Sequence, residues 1–362
     1  MTMNTLTVVG ARPQFIKAAP VSRALQAAGI NEFLVHTGQH YDANMSQIFF
    51  DELGIPRPDV NLGVGSGPHG RQTGEMLIRL EEVMMAERPD MVLVYGDTNS
   101  TIAAALAAVK LHIPVAHVEA GLRAFNREMP EEHNRVLTDH CADLLFCPTQ
   151  TAVDNLHQEN ITSGVFLTGD VMYDAALMFG EQARAQSHIL VRLQLQPQSY
   201  LLATIHRPHN TDFPERLIGI LDAFGQLDEP VILPIHPRTR KKIAELGLNM
   251  TDLAARGVRI IDPVGYLDML MLEQNARLIL TDSGGIQKEA YFFQVPCITL
   301  RNDTEWWETL DAGWNVLVGW DPEKILHYAR TLIPTGPQPP IFGDGRAAEK
   351  IADILLENGQ SA

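Results

Sequence analysis

Glu119, Glu128, Glu131 and Glu132 stand against Arg123, Arg127 and Arg135 in one stretch, HVEAGLRAFNREMPEEHNR, at 117–135. As a solvated loop this mixture needs no function, because exposed ion pairs contribute little. As the wall of a cleft it offers carboxylates for proton transfer, with arginines beside them to set their protonation. Another acid, Asp97, ends the apolar run MVLVYG and precedes Thr98, Asn99 and Ser100. Asp97 either caps the alanine-rich helix that follows or shares a cleft with Glu119.

Two further stretches suit an anion. In ARLILTDSGGIQKEA, Asp282, Ser283, Gly284 and Gly285 open a helix, and paired glycines let a phosphate reach bare backbone N–H groups at its positive end. Glu289, one turn on, either accepts from ribose hydroxyls or faces solvent. In TVVGARPQFIK, Gly10 permits a tight turn, Arg12 and Lys17 are cationic, and Pro13 suits a first helical position. By contrast GSGPHG at 65–70 matches G-x-G-x-x-G but follows no apolar strand and contains Pro68, so it is expected to be a flexible loop. His133, His140 and LHIPVAHVE lack zinc-type partners, and no metal is expected.

Positioning such groups needs strand ends. Short apolar runs alternate with helical patterns throughout: TLTVVG, EFLVHTG, MVLVYGD, PVAHVEA, DLLFCPT and GVFLTGD, then YLLATIH, PVILPIH, GVRIID, ARLILTD, PCITLRN and WNVLVGW. Runs apolar on both faces predict parallel sheet under two helical layers. In such sheets ligands bind beyond the carboxyl ends of the strands. The alternation pauses near Gly169, so the expected organisation is two doubly wound Rossmann-like α/β domains facing each other, 1–169 and 170–345. A last helix at 346–362 follows a Pro-rich stretch and is expected to return to the first domain.

The length of 362 residues suits two such domains, and 45% apolar with 20% charged residues suits a globular enzyme. A formal charge of −16 argues against nucleic acid or an anionic membrane as general partner. The opening MTMNTLTVVG does not read as a signal peptide, and the longest apolar tract is broken by Lys110, His112 and Pro114. Three cysteines, Cys141, Cys147 and Cys297, form no C-x-x-C pair, so a cytoplasmic setting with inert thiols is expected.

In order and spacing, GARPQFIKAAP, YGDTNST, HVEAGLR, PEEHNR, HRPHN and DSGGIQKEA resemble the non-hydrolysing UDP-N-acetylglucosamine 2-epimerase family over nearly the whole chain. The resemblance implies the glycosyltransferase-B architecture, no cofactor, a UDP-sugar substrate and a homodimer. It implies that Asp97, Glu119, Glu131 and His206 are catalytic, and that Arg12, Lys17, Ser283, Gly284, Gly285 and Glu289 bind UDP. Arg123 and Arg135 are then expected to orient Glu119 and Glu131, leaving Glu128, Glu132 and Arg127 as solvated charges. The chemistry implied is removal of the C2 proton, loss of UDP from C1 to give a glycal, and re-addition after protonation on the other face.

Departures from the family pattern are Gln14 for Glu, His209 for Glu, Trp306 for an arginine in RNDTEWWE, and GQHYDANMSQIFF in place of the activator-site motif. They resemble the branch acting on UDP-2,3-diacetamido-glucuronate, with Arg301 or Arg207 as the expected partner of a C6 carboxylate. A UDP-sugar-dependent glycosyltransferase of the same fold, an inactive nucleotide-sugar sensor and a hydrolysing epimerase are the alternatives. The transferase and the sensor have no use for three acid/base candidates.

Overall fold

The computed structural model describes residues 2–39 and 56–359, so most of GQHYDANMSQIFF lies outside the described residues. The chain divides into two compact units, Met1–Leu177 with Pro340–Ala362, and Met178–Pro339.

In the first unit seven parallel strands are described: β1 (Asn4–Val9), β2 (Asn31–His36), β3 (Val60–Asn61), β4 (Met91–Tyr95), β5 (Val115–Val118), β6 (Leu144–Cys147) and β7 (Val165–Leu167). Their order is β3-β2-β1-β4-β5-β6-β7. The order reverses between β1 and β4, which are in register from Thr5↔Met91 to Val8↔Val94. Connections leaving a sheet in opposite directions at such a point open a crevice at its carboxyl edge.

All five residues of β4 are buried, as the apolar run requires. Against this part of the sheet the helix His69–Glu87 lays Met76, Leu80 and Met84, spaced by four. The neighbouring helix Asn99–Lys110 packs through Ala103, Ala104, Ala107 and Ala108, whose small side chains allow close approach. Returning at the end of the chain, the helix Ala347–Gly359 packs on the helix Arg12–Ala27. The two-residue β3 was not among the strands expected, being too short to carry a periodic signal.

The second unit repeats the plan with β8 (Leu201–Thr204), β9 (Val231–Pro234), β10 (Val258–Ile261), β11 (Leu278–Thr281), β12 (Cys297–Thr299) and β13 (Asn315–Leu317). All neighbours are parallel, in the order β10-β9-β8-β11-β12-β13. Leu201, Leu233, Leu278 and Leu280 join one core with Leu217, Leu221 and Phe224. On the opposite face Leu202, Ile232 and Ile279 join another with Tyr200 and Leu272. Both faces are thus covered, and the reversal falls between β8 and β11. No helix among the described residues is long and apolar enough to cross a membrane.

Candidate active site

At the reversal in the first unit, β1 gives way to Gly10 and a helix beginning at Arg12, with Pro13 in its first turn. A Cβ on Gly10 would lie 2.0 Å from Ser100 Oγ and 2.3 Å from Thr37 Oγ1, so only glycine fits there. Gln14 stitches the crevice shut at its base. Its Oε1 accepts from the N–H of Gly10 (2.8 Å) and Ala11 (3.0 Å), while its Nε2 donates to Tyr95 O (2.7 Å) and Thr101 Oγ1 (3.1 Å).

One turn further, Lys17 forms an ion pair with Glu119 from the end of β5. Glu119 holds φ +70, a left-handed conformation that costs a side-chain-bearing residue free energy and is characteristic of functional turns. The place a Cβ would take on Gly96, just after β4, is 3.4 Å from both Glu119 Oε2 and Lys17 Nζ. Glu119 and the Gly96–Asp97 turn therefore stand together at the sheet edge.

The helix after Asp97 is capped by Thr98, whose side chain accepts from Thr101 N–H, so Asp97 is not its cap. Instead Asp97 Oδ2 accepts from Arg135 Nη2 at 2.6 Å, and its carbonyl accepts from Asn134 Nδ2 at 2.9 Å. Asp97, Glu131, Asn99, Asn134, His69 and Gln72 are among the walls of a cavity of about 310 Å³. Glu131, in the first turn of the helix Pro130–Cys141, is exposed.

Two expectations for this loop are corrected. Glu132 is buried rather than solvated: its carboxylate accepts from the N–H of Ala124 and Phe125 and from Arg135 Nη1, each at 2.9 Å. Arg123 does not orient the cleft acids. It is consumed by Asp139 (2.7 Å) and Glu159 (2.7 Å), and Arg135 ties Asp97 to Glu132. Burial pushes the Asp139 carboxyl up, yet hydrogen bonds and charge from His117 and Arg123 outweigh it and hold the group below its usual range.

In the second unit, His206 follows β8 and Asp282 follows β11. The fully buried Asp282 carboxylate accepts from the N–H of His206 (3.1 Å) and Arg207 (3.0 Å) and from Asn210 Nδ2 (3.0 Å), fixing one strand end to the other. His206 Nδ1 lies 3.3 Å from the same carboxylate. Burial lowers the pKa of His206, overriding the raising effect of Asp282, with His236 and Arg207 lowering it further.

Ser283 is the N-cap of the nine-residue helix Gly284–Phe292. Around the Cβ place of Gly284 stand Glu305 Oε2 (3.6 Å), Trp306 Nε1 (3.7 Å) and Arg207 Nη2 (4.0 Å). Trp306 is 6% exposed, with Lys288 Nζ 4.2 Å from its ring centroid. Arg301 is bound to Asp303 (2.9 Å) and Glu305 (3.0 Å), which corrects its candidacy as a carboxylate receptor. Glu289 is buried and accepts from Tyr266 OH at 2.8 Å, so it does not face solvent.

Known proteins match this arrangement along its length. Residues 23–356 fit the family model described as UDP-N-acetylglucosamine 2-epimerase. The chain belongs to that family. This epimerase is 54% identical over 355 residues to a Methanococcus maripaludis protein named UDP-N-acetylglucosamine 2-epimerase homolog, covering 98% of this chain and 99% of that one. It is 51% identical to the UDP-2,3-diacetamido-2,3-dideoxy-D-glucuronate 2-epimerase of Pseudomonas aeruginosa, covering 98% and 100%. The Methanocaldococcus jannaschii UDP-GlcNAc 2-epimerase, solved in complex with UDP-GlcNAc and UDP, superposes with a TM-score of 0.88 at 45% identity, again covering 98% and 100%.

The epimerase is thus an isomerase of glycosyltransferase-B architecture. Of its site, Asp282, the Glu132–Arg135 pair and the bridging part of Gln14 were not expected from sequence. Asp282 carried a signal in standing beside Ser283 at a strand end. Glu132 carried none, because an acid in a first helical turn is ordinarily a solvated one.

Proposed function

We propose that this epimerase interconverts UDP-N-acetylhexosamines at C2 without net hydrolysis. The observation that carries the proposal is the gathering of Asp97, Glu119 and Glu131 at the carboxyl edge of the first sheet, with Lys17 on Glu119 and Arg135 on Asp97. A carboxylate takes the C2 proton while the C1–O bond breaks and UDP leaves. The resulting glycal is then protonated at C2 on its other face, and UDP re-adds at C1.

Leaving-group stabilisation is assigned to the second unit. The N–H groups of Gly284 and Gly285 at a helix N-terminus donate to the pyrophosphate, Ser283, whose own N–H donates to Thr281 Oγ1 at 2.9 Å, offers its hydroxyl, and Glu289 accepts from the ribose. His206, with Nδ1 turned to the Asp282 carboxylate at 3.3 Å, keeps Nε2 for proton exchange with a UDP oxygen. Arg12, exposed at the start of its helix, adds a cation for the phosphates.

Trp306 favours a 2,3-diacetamido-glucuronate substrate, because where the family pattern has an arginine its Nε1, 3.7 Å from the Cβ place of Gly284, offers a single neutral N–H suited to an acetamido carbonyl. With Arg301 bound to two acids, Arg207 is the cation assigned to a C6 carboxylate. We further propose a homodimer that covers Ile78, Met85 and Leu137, which are 56%, 52% and 52% exposed on two helices of the first unit. The proposed setting is cytoplasmic, where three unpaired thiols stay reduced, and the product is an activated sugar for cell-surface polysaccharide.

Proton NMR in deuterated water with UDP-N-acetylglucosamine and the diacetamido-glucuronate tests the reaction and the substrate, and light scattering tests the homodimer. Deuterium should appear at C2 of both epimers, with higher kcat/KM for the diacetamido sugar. Free sugar and UDP as the only products would refute the non-hydrolysing mechanism, and better turnover of UDP-N-acetylglucosamine would refute the assignment of Trp306.

A further inference from the structure

His117 is an anomaly in a strand. It occupies β5 between Ala116 and Val118, is 0% exposed, and sits in a sheet whose neighbouring positions are apolar. Such a site is costly for an imidazole unless both nitrogens find partners. They do, and the partners are informative. Nε2 lies 2.8 Å from Gly96 O and Nδ1 lies 2.7 Å from Asp139 Oδ1. A carbonyl oxygen only accepts, and Asp139, already accepting from Arg123 Nη1 at 2.7 Å and Gly121 N–H at 3.1 Å, is an acceptor too. The nitrogen facing Gly96 O therefore donates, and the other meets the Asp139 carboxylate.

The reason Gly96 O needs a side-chain donor lies in the ladder. Gly96 N–H donates to Val118 O at 3.0 Å, as parallel pairing requires. The next rung would run from Ala120 N–H back to Gly96 O. That rung is missing, because Glu119 turns left-handed at φ +70: its own N–H keeps the ordinary rung to Phe146 O of β6, and Ala120 N–H is diverted to the same oxygen, each at 3.1 Å. The turn that aims Glu119 thereby strips the partner from the carbonyl immediately before Asp97. His117 Nε2–H replaces it.

We infer that His117 is a positioning residue for the C2 chemistry: it substitutes for the lost ladder bond and locks the Gly96–Asp97 turn against the left-handed turn at Glu119. Behind it the tie continues through Asp139 and Arg123 to Glu159, so the imidazole is itself held from the far side. The inference rests on the epimerase reading given above, and it concerns a group that touches no substrate.

Three variants test it. His117→Leu removes both ring contacts at similar volume. Displacing Asp97 and Glu119 by a fraction of an ångström should lower kcat about 10- to 100-fold. The affinity for UDP, measured by calorimetry, should fall far less than kcat, because the pyrophosphate N–H donors belong to the second unit and Arg12 opens a helix of its own after β1, not the Gly96–Asp97 turn. Native kcat in a leucine variant that melts like the native chain overturns the inference, and so does an equal loss of kcat and UDP affinity.

Should the leucine variant fail to fold, His117→Gln and His117→Asn decide. Glutamine places an N–H where Nε2 stands and reaches Gly96 O, whereas asparagine reaches only the Asp139 side. Glutamine should exceed asparagine in kcat by about tenfold, and equal rates overturn the inference. Deuterium incorporation at C2 by the native chain separates the two kinds of failure: without it the epimerase reading falls and this inference with it, and with it equal variants remove His117 alone.

Discussion

Replacing Asp174 by asparagine should change how stability depends on pH, in a direction fixed by burial. Asp174 lies in the first turn of the helix Val171–Gln186 and is 8% exposed. Its Oδ1 accepts from Ala347 N–H at 3.2 Å and its Oδ2 from Ala348 N–H at 2.7 Å, capping the helix Ala347–Gly359. Burial nevertheless pushes the carboxyl up to about 6; the two N–H groups pull down, and Asp170 and Asp344 add to the rise. From a starting value of 3.8 this is a rise of about two units, or about 3 kcal/mol at about 1.4 kcal/mol per unit.

Because the folded value exceeds the unfolded one, the folded state binds the proton more tightly. The contribution is fully present below about pH 3.8 and is lost as pH rises through about 6. Asparagine stays neutral throughout. The stability of the native chain relative to Asp174→Asn should therefore fall by about 3 kcal/mol between about pH 4 and pH 8. Urea unfolding of both proteins measures this. Far-UV circular dichroism at both pH values follows the transition. A native-minus-variant difference that is the same at both pH values would refute the reasoning.

Glu132→Gln removes a buried charge-assisted link to Arg135 and one of the acceptors for the 124–125 backbone. It should cost about 1.5–3 kcal/mol of stability in chemical unfolding and lower kcat with UDP affinity unchanged; a fully native kcat would show that Asp97 does not depend on this pair. Gly284→Ala should fold, since its Cβ would stand 3.6 Å from Glu305 Oε2 and 3.7 Å from Trp306 Nε1, which are ordinary contacts. The added methyl should still hinder approach to the helix N-terminus and weaken UDP binding by about tenfold, and calorimetry showing native affinity would place the pyrophosphate elsewhere.

What was legible in the sequence followed from local pattern. Apolar runs such as MVLVY and LILT announce strands buried on both faces, and a strand followed by Gly-Asp or Asp-Ser-Gly-Gly announces a carboxyl edge that can hold chemistry. Pairings across the fold were not legible. Arg123 looked like a partner for Glu119 because it is four residues away, yet the chain reverses between them and delivers it to Asp139 and Glu159. Glu132 looked solvated because helical first turns favour acids in water, whereas its real work is to hold the backbone of Ala124 and Phe125. Arg301 and Arg207 were equivalent as letters, and only the positions of Asp303 and Glu305 distinguish them.

Gln14, standing where the family pattern has a glutamate, also bears on how the crevice answers to acidity. Its amide serves the first unit's crevice in both senses at once, accepting with oxygen from Gly10 and Ala11 and donating with nitrogen to Tyr95 O and Thr101. A Gln14→Glu replacement would set a second oxygen against the Tyr95 carbonyl. The join would then hold only while the new acid kept a proton to donate. A residue with no titratable group thus leaves the join indifferent to pH, and the one-atom change from nitrogen to oxygen that restores the family's glutamate would hand that join a dependence on acidity.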